Sequence, residues 1–195
     1  MSDTTVDLGP QARIVAGLAH GVRDDQLDLP TPCPDYAVRH LVGHIVGLAA
    51  GLRATARKER ADDNTAQPGS TLPELSPDWR AALPKALDEL VEAWRDPAAW
   101  DGMTHAGGLD LPGAVAGLVT ADELVVHGWD LARATGQEYT PDEAALGAAH
   151  ALLAPAADDS GRGGLFGPVV AVSEHASLTD RVIGLSGRDP DWRQP

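Results

Sequence analysis

One long apolar stretch, residues 112–135, constrains the fold of this chain more than any other segment. It predicts a helix that stops at Gly136, because glycine readily takes the left-handed conformation that ends helices. Glu123 and His127 lie four residues apart inside it, so they project from the same helix face. Most of their neighbours are apolar, and an unpaired charge in an apolar interior is costly. The pair therefore needs a strong partner, and a divalent metal ion is one.

A third ligand of the right type lies on another predicted helix, residues 36–58. His44 falls within its apolar stripe, which consists of Leu41, Ile45, Leu48 and Leu52. We therefore predict a metal site formed by His44, Glu123 and His127. The alternative is a partly exposed helix face, or a histidine that only forms a hydrogen bond with its neighbour. His40, one turn before His44, is predicted to be a surface residue near the start of the helix.

Two further residues near this site leave alternatives open. Asp130 follows His127 by three residues and is interpreted as a fourth ligand, as a hydrogen-bond acceptor for the imidazole, or as the partner of Arg133, with a supporting role favoured. Cys33, the single cysteine, is interpreted as a small buried apolar residue rather than a reactive thiol. Metal affinity is expected to fall as the imidazoles become protonated, at about pH 6.5 or somewhat below.

The remaining pattern is almost entirely helical. Further helices are predicted at 7–23, at 76–95 with a kink at Pro84, at 140–154 from a capping box at Thr140, and at 178–186. A short hairpin is predicted around 103–109, and the segments 59–75 and 156–174 are predicted to be loops. The expected fold is all-α, with a helix bundle over 1–155 and a C-terminal extension over 156–195 that packs on it.

Composition excludes several classes of partner. The net charge of −14 and the pI of about 4.7 argue against nucleic acid and against an anionic membrane surface, since both require clustered basic residues. No run of apolar residues is long enough to span a bilayer, no signal peptide is recognisable, and a single cysteine cannot form an internal disulfide. We expect a cytoplasmic protein that is a monomer or a homodimer.

Two sequence blocks resemble a known family. The first runs through 31–44, with Thr-Pro-Cys-Pro-Asp-Tyr at its start and His44 at its end, and the second is 123–136, from Glu123 to Gly136. Both are similar to signature blocks of the DinB/YfiT-like superfamily, in particular the actinobacterial proteins related to the N-terminal domain of mycothiol-dependent maleylpyruvate isomerase. The tail segments 166–168, 180–181 and 187–190 also resemble a short subgroup of that family.

The resemblance implies an up-down four-helix bundle, with additional short helices here, that holds a divalent metal ion through three side chains. The ligands of the family fall on His44, Glu123 and His127. Zinc is expected first and nickel next, and the open coordination position would accept a low-molecular-weight thiol such as mycothiol or bacillithiol. The implied activity is that of a thiol-dependent transferase or isomerase acting on an electrophilic substrate. A metal-dependent hydrolase and a non-enzymatic metal- or ligand-binding module remain the alternatives.

Overall fold

The computed structural model describes residues 5–34, 36–59, 72–157 and 167–194. These residues form seven α-helices, two short 3-10 turns and one two-stranded antiparallel sheet. The helices are α1 (Gly9–His20), α2 (Val38–Ala56), α3 (Trp79–Trp94), α4 (Pro97–Trp100), α5 (Gly113–Thr135), α6 (Glu143–Leu153) and α7 (Leu178–Leu185). The strands are β1 (Met103–Ala106) and β2 (Leu109–Pro112), and the 3-10 turns are Asp24–Gln26 and Ala154–Ala156. The predicted all-α fold with additional short helices is confirmed.

The four long helices α1, α2, α3 and α5 form the bundle. Each packs against two others, so that the order around the bundle is α1, α3, α2, α5. Their apolar stripes meet in one core, whose fully buried members include Val15, Leu41, Leu83 and Leu87. Burial of such side chains contributes about 1.5–3 kcal/mol each, and this core is independent of any ligand.

Helix α5 is buried on nearly all sides because it belongs to two cores. One face packs against α1 and α2, and the opposite face packs against α6, which in turn carries α7. Val125, Val126 and Trp129 form the second core with residues of α6 and α7. This double packing explains the long apolar sequence of α5 and places Trp129 in the core.

Several local predictions hold and others need correction. Helix α5 does end at Gly136, which has φ 69°, and the hairpin is present as β1 and β2. The cap of α6 is Asp142, whose carboxylate accepts from the Ala145 N–H, rather than Thr140. Helix α3 contains Pro84 and begins at Trp79, after Asp78 at its N-cap. Most of the predicted 59–75 loop, part of the predicted 156–174 loop, and Asp35 and Phe166 of the resembling blocks lie outside the described residues.

No helix in the described part of the chain is both long and apolar enough to cross a membrane.

Candidate metal centre

Helices α2 and α5 bring the three predicted ligands together. His44 projects from α2 toward the face of α5 that carries Glu123 and His127, and the two imidazole rings meet edge to face, with centroids 4.8 Å apart. Their ligand atoms, together with a carboxylate oxygen of Glu123, all lie within 4.8 Å of one another. The cluster lies partly open to solvent, since the side chain of Glu123 is 28% exposed whereas that of His127 is 8% exposed.

The two ring nitrogens of His127 have different partners. Nε2 lies 3.0 Å from Glu123 Oε2, as the helical spacing of the two residues predicts. Nδ1 lies 3.0 Å from Asp130 Oδ2, one turn further along α5. The same Asp130 oxygen accepts from the Arg188 guanidinium, so Nδ1–H acts as the donor to it. Asp130 therefore holds His127 with Nε2 directed at Glu123 and His44, which is the arrangement that the predicted supporting role requires.

Arg188 is the site residue that sequence reasoning missed. It comes from the segment after α7, 58 residues beyond Asp130, and its Nη2 lies 3.2 Å from Asp130 Oδ2. Asp130 is fully buried and Arg188 is only 14% exposed, so the pair is largely removed from water. The one available signal was the resemblance of the 187–190 tail segment, which does not indicate a direction for the side chain. Arg133, the partner considered from the sequence, lies over the ring of Trp129 instead.

Cys33 lies on the Asp130 side of the cluster. It is half-buried, and its Sγ forms a second compact group with ligand atoms of His127 and Asp130. Burial and the neighbouring Asp130 carboxylate raise the pKa of the thiol to about 11, and the Arg188 guanidinium opposes that shift. A thiol with this pKa stays protonated at neutral pH. The interpretation of Cys33 as a small buried residue thus missed its position beside His127.

The electrostatic environment makes the two histidines different. Burial, together with the positive charge of His127, lowers the pKa of His44 to about 4, so its ring is neutral at pH 7. Burial alone would lower the pKa of His127, but its hydrogen bonds with Asp130 and Glu123 raise it to about 9. The imidazolium in turn overcomes the effect of burial on Glu123 and lowers the pKa of that carboxyl. Without metal, Glu123 and His127 therefore form an ion pair beside a neutral His44.

Asp122 adds a buried carboxyl group next to Glu123. Burial, and then the charge of Glu123, raise the pKa of Asp122 to about 8. The Asp122 carboxyl is therefore mostly protonated at pH 7, which avoids two adjacent negative charges in the interior. Its Oδ1 atom has no hydrogen-bond partner among the described residues.

The surroundings of the cluster are aromatic on one side and apolar on the other. The Tyr36 ring lies 5.4 Å from that of His44, in an edge-to-face arrangement. His40 does not join the cluster; its Nδ1 accepts from the Ala37 N–H at the start of α2, so the predicted surface residue is a partly buried helix cap. Beneath the cluster, Glu123 and His127 border an apolar cavity of about 10 Å³, which is room for a single water molecule at most.

The remaining histidines lie away from the cluster. His20 and His175 are exposed. His150 is partly buried, and its Nε2 lies 3.1 Å from Arg181. His105 lies in β1 and pairs with Asp110, so it belongs to the hairpin rather than to the site.

The fold and this cluster define a class of protein: helix bundles with a histidine on one helix and a Glu/His pair on another. The chain belongs to the family described as the mycothiol maleylpyruvate isomerase N-terminal domain, whose profile matches residues 8–132. Two curated relatives are uncharacterized proteins of Mycobacterium tuberculosis, from strains H37Rv and CDC 1551. Each is 33% identical over 146 residues, which cover 72% of this chain and 74% of the relative.

Solved structures give the same fold. The crystal structure of the mycothiol-dependent maleylpyruvate isomerase superposes with a TM-score of 0.62 at 17% sequence identity, and the match covers 93% of this chain and 86% of that chain. A histidine-to-alanine mutant of the same enzyme matches with the same values. At this identity the likeness establishes the fold, and the chemistry has to be argued from the residues of this chain.

Proposed function

We propose that this protein binds one zinc ion through His44, Glu123 and His127 and uses it to present a low-molecular-weight thiol to an electrophilic substrate. The reaction class is a thiol-dependent transfer or isomerisation. The observation that carries the proposal is the convergence of the three ligand atoms within 4.8 Å across two helices, with Asp130 holding the His127 ring through its other nitrogen. The family membership supports the choice of a thiol as the reaction partner.

The residues present fit such an ion. Zinc binds histidine nitrogen and carboxylate oxygen at about 2.0–2.2 Å, which places the ligand atoms of one tetrahedral site roughly 3.4 Å apart. The 3.0 Å between His127 Nε2 and Glu123 Oε2 and the 4.8 Å limit for the whole set match this spacing after small side-chain rotations. Two imidazoles and one carboxylate also form the donor set of catalytic zinc sites, which keep one position open.

The proposed chemistry depends on the difference between bound and free thiols. A free thiol with a pKa of about 8.5 is only a few per cent ionised at pH 7, whereas coordination to zinc deprotonates it outright. The side chains of the chain would orient and shield the sulfur. Asp130 fixes the His127 ring, and Tyr36 covers one side of His44. One carboxylate oxygen of Glu123 lies in the ligand cluster, 3.0 Å from His127 Nε2, so we assign Glu123 as a ligand rather than as a general base.

Cobalt substitution tests whether a thiol enters the site. Since Cys33 is the single cysteine, the Cys33→Ser variant contains no thiol of its own, and any sulfur-to-cobalt charge-transfer band must come from added thiol. We expect such a near-ultraviolet band when mycothiol is added to the cobalt form of this variant. The same preparation should conjugate mycothiol to monochlorobimane above the background rate, and His127→Ala should abolish both signals.

Other outcomes would point elsewhere. An unchanged cobalt spectrum with mycothiol, bacillithiol and glutathione, together with ester hydrolysis without thiol, would favour the hydrolase. The absence of both a spectral change and any turnover would favour a binding module.

Removal of the metal should leave the bundle folded. The apolar core of α1, α2, α3 and α5 does not include the ligands, so chelation should change the far-UV circular dichroism little. The melting temperature should fall only to the extent that the metal's binding free energy had stabilised the folded state. The comparison is a melt of the zinc-loaded protein against the same sample with excess chelator. Loss of the helical signal would instead make the metal structural and would count against an open catalytic site.

A further inference from the structure

The strongest unexplained feature outside the ligand set is the buried ion pair between the C-terminal segment and α5. A Schellman motif ends α7: the Gly187 N–H donates to Gly184 O, and the Arg188 N–H donates to Ile183 O. Both N–O distances are 3.1 Å. Gly187 has φ 87°, a conformation that favours glycine. The turn therefore fixes the backbone at Arg188 and directs its side chain back toward α5.

The pairing is selective for one carboxylate. Arg188 Nη2 donates to Asp130 Oδ2, the same oxygen that accepts from His127 Nδ1. Asp130 is fully buried, and its other oxygen, Oδ1, has no hydrogen-bond partner among the described residues. A buried carboxylate without a compensating charge is costly, and it would relax by moving toward water. That movement would weaken its hold on the His127 ring.

We infer that Arg188 is a positioning residue for the metal site and acts on it through Asp130. This inference rests on the proposed zinc site. The guanidinium holds the Asp130 carboxylate in place, Asp130 accepts from His127 Nδ1–H, and His127 Nε2 then stays directed at Glu123 and His44. Groups that support a metal-bound histidine in this way typically change metal affinity by about 10–100-fold. The C-terminal segment would thus contribute to metal affinity without supplying a ligand.

The competing explanation is that Arg188 only fastens the C-terminal segment. Other contacts already do this: Val182 and Ile183 of α7 are fully buried, and the Gln194 side chain donates to Ala134 O on α5. Gln194→Ala therefore weakens docking without touching Asp130. Arg193→Gln removes a positive charge from the same segment at an exposed position. These two variants are matched controls for docking and for net charge.

The experiment is a competition titration of zinc against a chromophoric chelator at about pH 10, above the His127 pKa of about 9, so that proton competition at this ring is small. Asp130→Asn, Arg188→Gln and the double variant form a thermodynamic cycle. We expect Arg188→Gln to weaken zinc binding about tenfold and Asp130→Asn about 10–100-fold. The double variant should be no weaker than Asp130→Asn alone, because Arg188 would have lost its route to the site. Arg188→Lys should recover part of the loss, and both control variants should bind zinc as the wild type does.

The outcomes separate this inference from the proposed function. Unchanged zinc affinity in Arg188→Gln would overturn the inference that Arg188 acts through Asp130. A loss in the double variant equal to the product of the two single losses would overturn it as well. Either result would leave the proposed zinc site standing. A wild-type protein that binds no zinc would overturn both. Failure of the thiol assays alone would not affect the inference about Arg188, since zinc affinity is measured without thiol. If Asp130→Asn does not fold, Arg188→Gln compared with Gln194→Ala decides the question.

Discussion

Zinc affinity should fall by about a hundred- to a thousandfold in His44→Ala, and by a similar factor in His127→Ala. Sites with four protein ligands bind zinc with apparent free energies of about 10–16 kcal/mol, so each ligand contributes about 2.5–4 kcal/mol, and 4.1 kcal/mol is a factor of a thousand. Glu123→Gln should behave similarly, since an amide oxygen keeps the shape of the side chain but loses its charge. The measurement is the zinc content of protein purified without a histidine tag, followed by competition titration.

The natural control is His40→Ala. His40 lies one turn before His44 on the same helix, and its Nδ1 accepts from a backbone N–H instead of facing the ligand cluster. This variant loses one imidazole but none of the proposed ligands, so it should retain zinc while losing some stability at the start of α2. Equal zinc retention in His44→Ala, Glu123→Ala and wild type would refute the ligand assignment.

The second large effect is a rise in zinc affinity between pH 7 and pH 9. The expectation from the sequence placed the change at about pH 6.5 or below, whereas the carboxylates on both sides of His127 raise its pKa to about 9. Below that pH the ring must lose a proton before its Nε2 can bind metal, so apparent affinity should rise about tenfold per pH unit well below pH 9 and about fiftyfold from pH 7 to pH 9. His44, with a pKa of about 4, contributes nothing in this range.

Calorimetry in buffers of different ionisation enthalpy provides a direct check. Near pH 7.5 the protein should release about one proton per zinc ion bound, and His127 is its source. Asp130→Asn should reduce this release, because the substitution removes one of the carboxylates that hold the proton on the ring. An affinity that is already constant from pH 7 to pH 9 would show that His127 is neutral in the metal-free protein.

Local sequence patterns were sufficient to predict the helices and to pair two of the three proposed ligands, Glu123 and His127. The long apolar run and Gly136 located α5 to within one residue of its observed limits, because helix ends depend on residues near them in sequence. Glu123 and His127 share a face for the same local reason. Cap assignment was less successful: Asp142 caps α6 instead of Thr140, since neighbouring polar residues can satisfy the same N–H groups.

The position of His44 beside the α5 pair could be proposed only by treating two apolar stripes as facing each other and through the family resemblance. The structure does bring α2 against α5, with the His44 and His127 rings in contact. Neither the rotation of α2 about its axis nor the depth of the site follows from periodicity. Those depend on how all four stripes pack into one core.

What the sequence by itself determined is the set of elements: an all-α chain, the extent of α5, and a carboxylate and an imidazole held one turn apart in an apolar helix. Only the tertiary structure decided what surrounds them. It placed Cys33 and Arg188 next to Asp130, and it raised the pKa of His127 while lowering that of His44. The physical reason is that helical spacing acts over a few residues, whereas hydrogen bonds, burial and charge depend on neighbours brought together from distant segments by packing of the core.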